Sequence, residues 1–177
     1  MRYAKNSGRM KLIPPDSPEH LELVVSWLSR KENYQWLDFG EGRQLVSPEW
    51  LKIAMQRGTH VLRLFTSDVD DAPIGVVGLH NVNRHFKTAT LWVVLGDKSY
   101  AGRGYATRAT SQMLTLGFVE LGLHAINTWI VEHNPSVRVA ANVHFRYIGR
   151  QRECHEIDGR RYDRLWFDLL ASEHKEI

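Results

Sequence analysis

Cysteine is nearly absent from this chain of 177 residues. The single Cys154 excludes an intramolecular disulfide and a cysteine zinc site, so a reducing compartment is expected. Long apolar runs are absent too: none reaches the length of a membrane span, and residues 1–8 contain no hydrophobic signal region. We therefore expect a cytoplasmic protein without a membrane partner.

An excess of one charge is also lacking. The formal net charge is +3 and the pI is about 9.1, with no basic run that alternates with aromatic residues. This balance suits an anionic cofactor and argues against a nucleic-acid partner. With 43% hydrophobic residues, the chain can bury one full core. We expect a polar leader at residues 1–9, one domain at 10–170 and a solvated end at 171–177.

The common nucleotide-binding patterns are missing as well. The sequence contains no Gly-Lys-Ser/Thr, and Thr107 stands where a dinucleotide fingerprint requires Gly or Ala. A glycine-rich turn nevertheless runs from an apolar strand into a helix at residues 100–107. Gly102 and Gly104 allow close approach of a pyrophosphate, and Arg103 offers a charge to pair with it. A turn with no ligand is the alternative for this motif taken alone.

Hydrophobic periodicity predicts one sheet with helices packed around it. Ser17 and Ser47 each precede Pro-Glu and are expected to be helix N-caps, and Asp158-Gly159 is typical of a tight hairpin. The predicted strands lie at about 10–13, 60–66, 73–82, 87–95, 125–131, 147–156 and 161–169, and the helices at about 18–30, 48–55, 104–121 and 135–145. This order indicates an α/β (α+β mixed) fold.

The elements and motifs together resemble the GNAT superfamily of acyl-CoA N-acyltransferases, in its Rim-type branch. The family's loop pattern Gln/Arg-x-x-Gly-x-Gly/Ala is matched at Gly104 and Ala106, with Ala101 at the first position. At the family's Asn-x-x-Ser box this chain has His133 at the Asn position, with Asn134 one residue later, and Ser136 at the Ser position. His144-Phe145 and an Asp-Gly hairpin at 158–163 follow, as in the family. The resemblance covers about residues 10–170. It implies the GNAT fold: a central, mostly antiparallel sheet of six to seven strands, splayed between strands 4 and 5 and flanked by about four helices.

The resemblance also implies acetyl-CoA as the cofactor and a place for it. The pantetheine arm is expected along the strand residues Val93, Val94 and Leu95, with Asn134, or alternatively His133, bonding the arm. The carbonyl of the thioester is expected to be polarised by a main-chain N–H near Val94 or Leu95. The pyrophosphate is expected on the loop residues Ala101, Gly102, Arg103, Gly104, Tyr105, Ala106 and Thr107.

Two catalytic side chains common in the family are missing. Ala140 stands at the usual tyrosine position and Thr90 at the usual glutamate position. Ser136 is the candidate for protonating the leaving thiolate, with a helix cap as its alternative role. His80 and His133 are candidate bases, and a water chain without a single base is the alternative.

The acceptor pocket of the family lies near the aromatic segment that follows the first helix. Its candidate residues are Glu32, Tyr34, Trp36, Asp38 and Glu41, although Trp36 and Trp50 are also expected to pack the early helices together, and Trp92, Trp129 and Trp166 are expected in the core or on the sheet surface.

The resemblance implies direct transfer of an acetyl group to a primary amine of a protein N-terminus, a polyamine or a small molecule. Cys154 has no activating histidine–carboxylate signature, so we do not expect an acyl-enzyme. We also expect no metal. The alternatives are a nucleotide-amino-sugar N-acetyltransferase and a non-catalytic module that binds acyl-CoA. A monomer or a homodimer is expected.

Overall fold

The computed structural model describes residues 9–39 and 46–177. A seven-stranded sheet forms its centre, in the order β1-β2-β3-β4-β5-β7-β6. The strands are β1 (Leu12–Ile13), β2 (Val61–Thr66), β3 (Pro73–Asn83), β4 (Thr88–Leu95), β5 (Ala125–Val131), β6 (Arg146–Ile157) and β7 (Arg160–Leu170). Neighbouring strands pair antiparallel except β4 and β5, which pair in parallel.

The helices lie on both faces of this sheet. They are α1 (Pro18–Leu28), α2 (Lys31–Tyr34), α3 (Pro48–Gln56), α4 (Tyr105–Thr115), which continues as a π-helix over Leu116–Glu120, and α5 (Val137–Asn142). Short 3₁₀ turns cover Lys98–Tyr100 and Ala171–Glu173. The hydroxyls of Ser17 and Ser47 accept hydrogen bonds from the N–H groups of His20 and Trp50, which confirms both predicted N-caps.

Two apolar layers hold the sheet, because alternate strand residues point to opposite faces. One layer joins Met113 and Leu114 of α4 to the sheet, and the other joins Val24 and Trp27 of α1 to it. In the second layer a Cβ at Gly78 would lie 2.6 Å from Nε1 of Trp92. A glycine at this position therefore lets the indole approach the main chain of β3 closely.

The predicted fold class is confirmed, including the mostly antiparallel sheet and its opening between β4 and β5. The β6–β7 hairpin is also confirmed: Asp158 and Gly159 have φ of 51° and 78°, as a two-residue turn with both central residues left-handed requires. The helices differ in detail. The short α2 was not predicted, and the helix expected at 135–145 covers only Val137–Asn142.

The chain beyond β7 lies against α4, where a solvated end was expected. Nε2 of His174 is 2.7 Å from Oγ1 of Thr115, and the N–H of Ile177 donates to Oγ of Ser111 at 3.0 Å. Two side chains of α4 therefore hold this segment in place. Of the helices in residues 9–39 and 46–177, none has the length and apolar character needed to cross a membrane.

Candidate active site

The site begins where β4 and β5 separate. Their pairing runs from Thr88 opposite Ala125 to Thr90 opposite Asn127. Beyond Asn127, β5 pairs with β7 alone among the described strands. Oγ1 of Thr128 then donates to the carbonyl oxygen of Leu91 at 2.8 Å. From that point no strand among the described residues pairs with the edge of β4 that faces β5, so main-chain groups on this edge are open to an extended ligand.

A cavity of about 370 Å³ occupies this opening. Strands β4 and β5 form its sides, α5 forms one end, and the segment that includes α2 covers the other. Its lining residues are Glu32, Asn33, Trp36, Leu37, Leu91, Trp92, Val93, Val94, Leu95, Lys98, Ala101, Ala106, Thr110, Thr128, Trp129, Ile130, Asn134, Pro135, Ser136, Val139, Ala140 and Phe145.

The glycine-rich loop borders the cavity at the N-terminus of α4. Gly102 and Gly104 have φ of 76° and 78°, and a Cβ on either would meet no atom within 4 Å. The first bond of the helix joins the N–H of Arg108 to the carbonyl of Gly104 at 3.0 Å, so the preceding amides have no intrahelical acceptor. These free donors and the helix dipole make the loop an anion site.

The loop side chains have different environments. Arg103 is exposed, with its guanidinium carbon 5.5 Å from the centre of the Tyr100 ring. Tyr105 is buried and its hydroxyl accepts a hydrogen bond from the N–H of Asp68 at 3.2 Å, so only its main chain is available to a ligand. Ala106 lines the cavity.

The Asn-Ser box lies at the α5 end of the cavity. Both Asn134 and Ser136 line it, and Oδ1 of Asn134 accepts from the N–H of Ser136 at 3.0 Å. Ser136 occupies the N-cap position of α5, but its side chain makes no capping hydrogen bond. Ala140, at the family's usual tyrosine position, is 2% exposed and also lines the cavity. Ser136 therefore places a hydroxyl group at this end of the cavity.

The candidate bases lie away from this lining. His80 pairs with Thr90 in the β3–β4 register, and its ring centre is 5.8 Å from that of Phe39 and 6.1 Å from that of His60. Burial lowers the pKa of His80, with Asp38 opposing that shift, so the imidazole is neutral near pH 7. Neither His80 nor His133 is among the lining residues, and the exposed His133 has φ of 71°.

The acceptor residues predicted from the sequence are only partly brought together. Glu32 and Trp36 line the cavity, whereas Tyr34 is half-buried outside its lining. Oδ2 of Asp38 accepts from Nη1 of Arg164 at 3.2 Å, which engages that carboxylate within the protein. Glu41 lies outside the described residues.

Several lining residues were not predicted to be there, among them Trp129 and Lys98. Trp129, expected in the core or on the sheet surface, lines the cavity, with the guanidinium carbon of Arg164 3.8 Å from the centre of its ring. Lys98 donates to Oδ1 of Asn33 at 2.7 Å and to the carbonyl of Leu95 at 2.6 Å, and burial lowers its pKa. No local pattern in β5 predicts that Trp129 lines a cavity, because its position depends on where β4 and β5 separate.

Comparison with known proteins identifies the class that this site defines. Residues 9–146, more than half of the sequence, match the acetyltransferase (GNAT) domain family. The chain belongs to this family of acetyltransferases, whose cofactor is acetyl-CoA. The family, the enzyme class and the cofactor that were predicted from the sequence are thereby confirmed. The Rim-type branch stays a prediction.

Individual relatives agree with this assignment. The uncharacterized N-acetyltransferase p20 from Bacillus licheniformis is 28% identical over 105 residues, which are 59% of this chain and 58% of that relative's length. Spermidine N-acetyltransferase from Vibrio cholerae, in complex with CoA and spermine, has a TM-score of 0.82 at 18% identity, over 93% of this chain and 96% of that one.

A dodecameric structure of the Vibrio cholerae enzyme, in an intermediate state, has a TM-score of 0.75 at 18% identity and covers 93% of this chain and 94% of that one. Similarity at this level of identity shows a shared fold.

Proposed function

We propose that this protein is an acetyl-CoA-dependent N-acetyltransferase that moves the acetyl group directly to a primary amine. The observation that carries the proposal is the opening between β4 and β5, which joins the anion site at the start of α4 to a cavity of about 370 Å³. One continuous path thus offers donors for a pyrophosphate and a strand edge for an extended arm.

The residues present fit acetyl-CoA. The Cα atoms of Gly102 and Gly104 face open space, so a pyrophosphate can approach the loop main chain closely. The open edge of β4 presents the N–H and C=O groups of Val93 to the pantetheine arm, whereas those of Val94 point toward β3, because the main-chain groups of consecutive strand residues face opposite edges. Asn134 also lines the cavity. When bound, acetyl-CoA supplies the thioester from which the acceptor nitrogen takes the acetyl group as the C–S bond breaks.

The chain's own groups then handle charge and protons. A main-chain N–H near Val94 or Leu95 polarises the carbonyl oxygen. The hydroxyl of Ser136, which makes no capping bond, donates a proton to the departing sulfur. The neutral ring of His80 takes the proton from the amine through water, because it lies outside the cavity lining. His133 is the alternative base.

The acceptor class is broader than any single compound. Glu32 is a carboxylate at the cavity and suits a cationic amine. The structural likeness to spermidine N-acetyltransferases supports including polyamines among the candidates, beside protein N-termini and small amines. We further propose that residues 10–170 are the domain that carries this activity, and that it acts in the cytoplasm as a monomer or a homodimer.

A second candidate is a module that binds acyl-CoA without transferring the acyl group. Two observations favour it: the buried Ala140 at the usual tyrosine position and Thr90 at the usual glutamate position. The same pocket serves both functions, so only turnover separates them.

The deciding experiment is release of CoA thiol from acetyl-CoA in the presence of single amines. The panel contains spermidine, spermine, N-terminal peptides with different first residues, and a nucleotide-linked amino sugar. We expect release that depends on at least one acceptor. Binding of acetyl-CoA in calorimetry without acceptor-dependent release would support the binding module instead.

A further inference from the structure

The segment that closes the acceptor side of the cavity is held by the β6–β7 hairpin. Trp36 and Leu37 line the cavity, and the flanking residues Gln35 and Asp38 are both hydrogen-bonded to the hairpin. Nε2–H of His155 donates to the carbonyl oxygen of Gln35 at 2.7 Å. Arg164 donates to Oδ2 of Asp38 at 3.2 Å.

The same arginine reaches the facing wall. Its guanidinium carbon is 3.8 Å from the centre of the Trp129 ring, and Trp129 lines the cavity from β5. Nε and Nη2 of Arg164 also point at Nδ1 of His155, at 3.3 Å and 3.1 Å. The Arg164 side chain is only 15% exposed, so these contacts form in a site largely removed from water.

We propose that Arg164 and His155 are positioning residues for the acceptor, which fix Trp36, Leu37 and Trp129 at the cavity. The proposal rests on the proposed function for the identity of the bound molecule. Neither residue lines the cavity, so both act through the aromatic and apolar side chains that do. It also assigns Asp38 to this arrangement, as the partner of Arg164.

The bonds of His155 define its protonation state. A carbonyl oxygen only accepts, so Nε2 carries the proton, and Nδ1 must be the acceptor for Arg164. A second proton, on Nδ1, would face the N–H donors at Nε and Nη2 of Arg164 and leave them without their acceptor. Burial lowers the pKa of His155 and Arg164 lowers it further, against the effects of Gln35 and Asp38, which favours this neutral form.

The charged and titratable groups around His155 are few. Strand β7 presents Arg164 and, directly opposite in the register, Tyr162; the segment after α2 presents Asp38; and β5 presents the uncharged Trp129. Acidification therefore acts mainly on His155 itself.

Glutamine offers a matched replacement for this histidine. The side chain of a His155→Gln variant keeps one donor and one acceptor but does not titrate, whereas His155→Ala keeps neither. Arg164→Met retains the apolar stem and loses the donors and the charge. Arg150→Met is the control, because Arg150 lies on the same hairpin but pairs with Glu132 and Asp163 instead of with residues 31–39.

Hydrogen–deuterium exchange of residues 31–39 tests the proposal without requiring activity. At pH 7.5 we expect Arg164→Met and His155→Ala to accelerate exchange of this segment about tenfold, and His155→Gln and Arg150→Met to stay near wild type. Unchanged exchange in Arg164→Met, or an equal increase in Arg150→Met, would overturn the proposal.

Kinetics add a second readout once an acceptor is known. We expect Arg164→Met to raise the acceptor KM about tenfold while the Kd of acetyl-CoA changes less than twofold. Below pH 6.5 the acceptor KM of the wild type should rise, and that of His155→Gln should not. A kcat loss without a change in KM would contradict the positioning role. If no amine is acetylated, the proposed function fails, and the exchange result still decides whether these residues hold the segment.

Discussion

The hydroxyl of Thr128 donates a 2.8 Å hydrogen bond to the carbonyl oxygen of Leu91, directly beyond the last paired residues of β4 and β5. At this point a side chain replaces the main-chain donor that a neighbouring strand would provide. Because Leu91 is buried, its carbonyl oxygen has to be hydrogen-bonded within the protein, and the hydroxyl of Thr128 provides that bond where the strands separate. The bond thus lets the sheet open without leaving an unpaired buried acceptor at the closed end of the cavity.

Replacing Thr128 with valine tests this role. The variant keeps the shape of the side chain but leaves the carbonyl of Leu91 without its donor, which should lower the free energy of unfolding by about 1–3 kcal/mol. Urea denaturation measures the change. Thr88→Val, in the paired part of β4, is the control and should change stability by much less; equal losses in the two variants would argue against a special role for the Thr128 bond.

Gly104 should be essential for cofactor affinity. Its φ of 78° is strained for a β-branched residue, and a side chain there would occupy space that is open beside the loop main chain. We expect Gly104→Val to weaken acetyl-CoA binding in calorimetry by about 1–3 kcal/mol. Gly58→Val is the control, because Gly58 has φ of 71° and similar open space but follows α3. An unchanged Kd in Gly104→Val would place the anion site elsewhere.

Ser136 should matter for turnover and not for folding. Because its hydroxyl makes no capping bond, Ser136→Ala should leave the thermal midpoint unchanged and reduce kcat by about 100-fold or more. Ser47→Ala is the opposite case: it loses a real cap, which should cost about 1 kcal/mol of stability without changing kcat. An affinity loss at constant kcat in Ser136→Ala would instead assign the hydroxyl to cofactor positioning.

The pH dependence should reflect a neutral His80. Burial lowers its pKa, so the imidazole remains a base as pH falls to 6.5 and becomes charged only at lower pH. The lowered pKa of His80 also affects stability. Its contribution to the free energy of unfolding is complete above about pH 6.5 and is lost as the pH falls from there through the pKa of the folded state.

We therefore expect kcat, measured at saturating acceptor, to decline on the acid side only below pH 6.5. His80→Gln should reduce kcat at pH 7.5 by about 100-fold and remove that acid limb, as measured in a pH–rate profile. His85→Gln, at the exposed turn after β3, is the control and should retain both. Full activity in His80→Gln would favour His133 or a water chain.

Local features made the cofactor side predictable. Gly102 and Gly104 adopt the left-handed conformations that their spacing indicates, and Asp158-Gly159 forms the hairpin that this dipeptide favours. In each case the information lies within a few residues, because a left-handed backbone favours glycine, and aspartate tolerates it better than most other residues.

The acceptor side was less predictable because its contacts join distant parts of the chain. Asp38 carries the negative charge expected of a residue that binds an amine, but it pairs with Arg164, which lies 126 residues away in the sequence. Residue type also does not distinguish a packing tryptophan from a cavity tryptophan. Trp129 is at the cavity because β5 leaves β4 after Asn127, a divergence that no local pattern in β5 announces.

Filling the opening between β4 and β5 tests the central claim most directly. Ala140 is buried at the cavity, and the adjacent Ala141 on α5 is exposed, so the pair provides a matched comparison. Acetyl-CoA affinity is measured by calorimetry for Ala140→Phe and Ala141→Phe, with circular dichroism to verify folding. The account predicts at least about a tenfold loss for folded Ala140→Phe and no change for Ala141→Phe. Equal, wild-type affinity in both variants would contradict it.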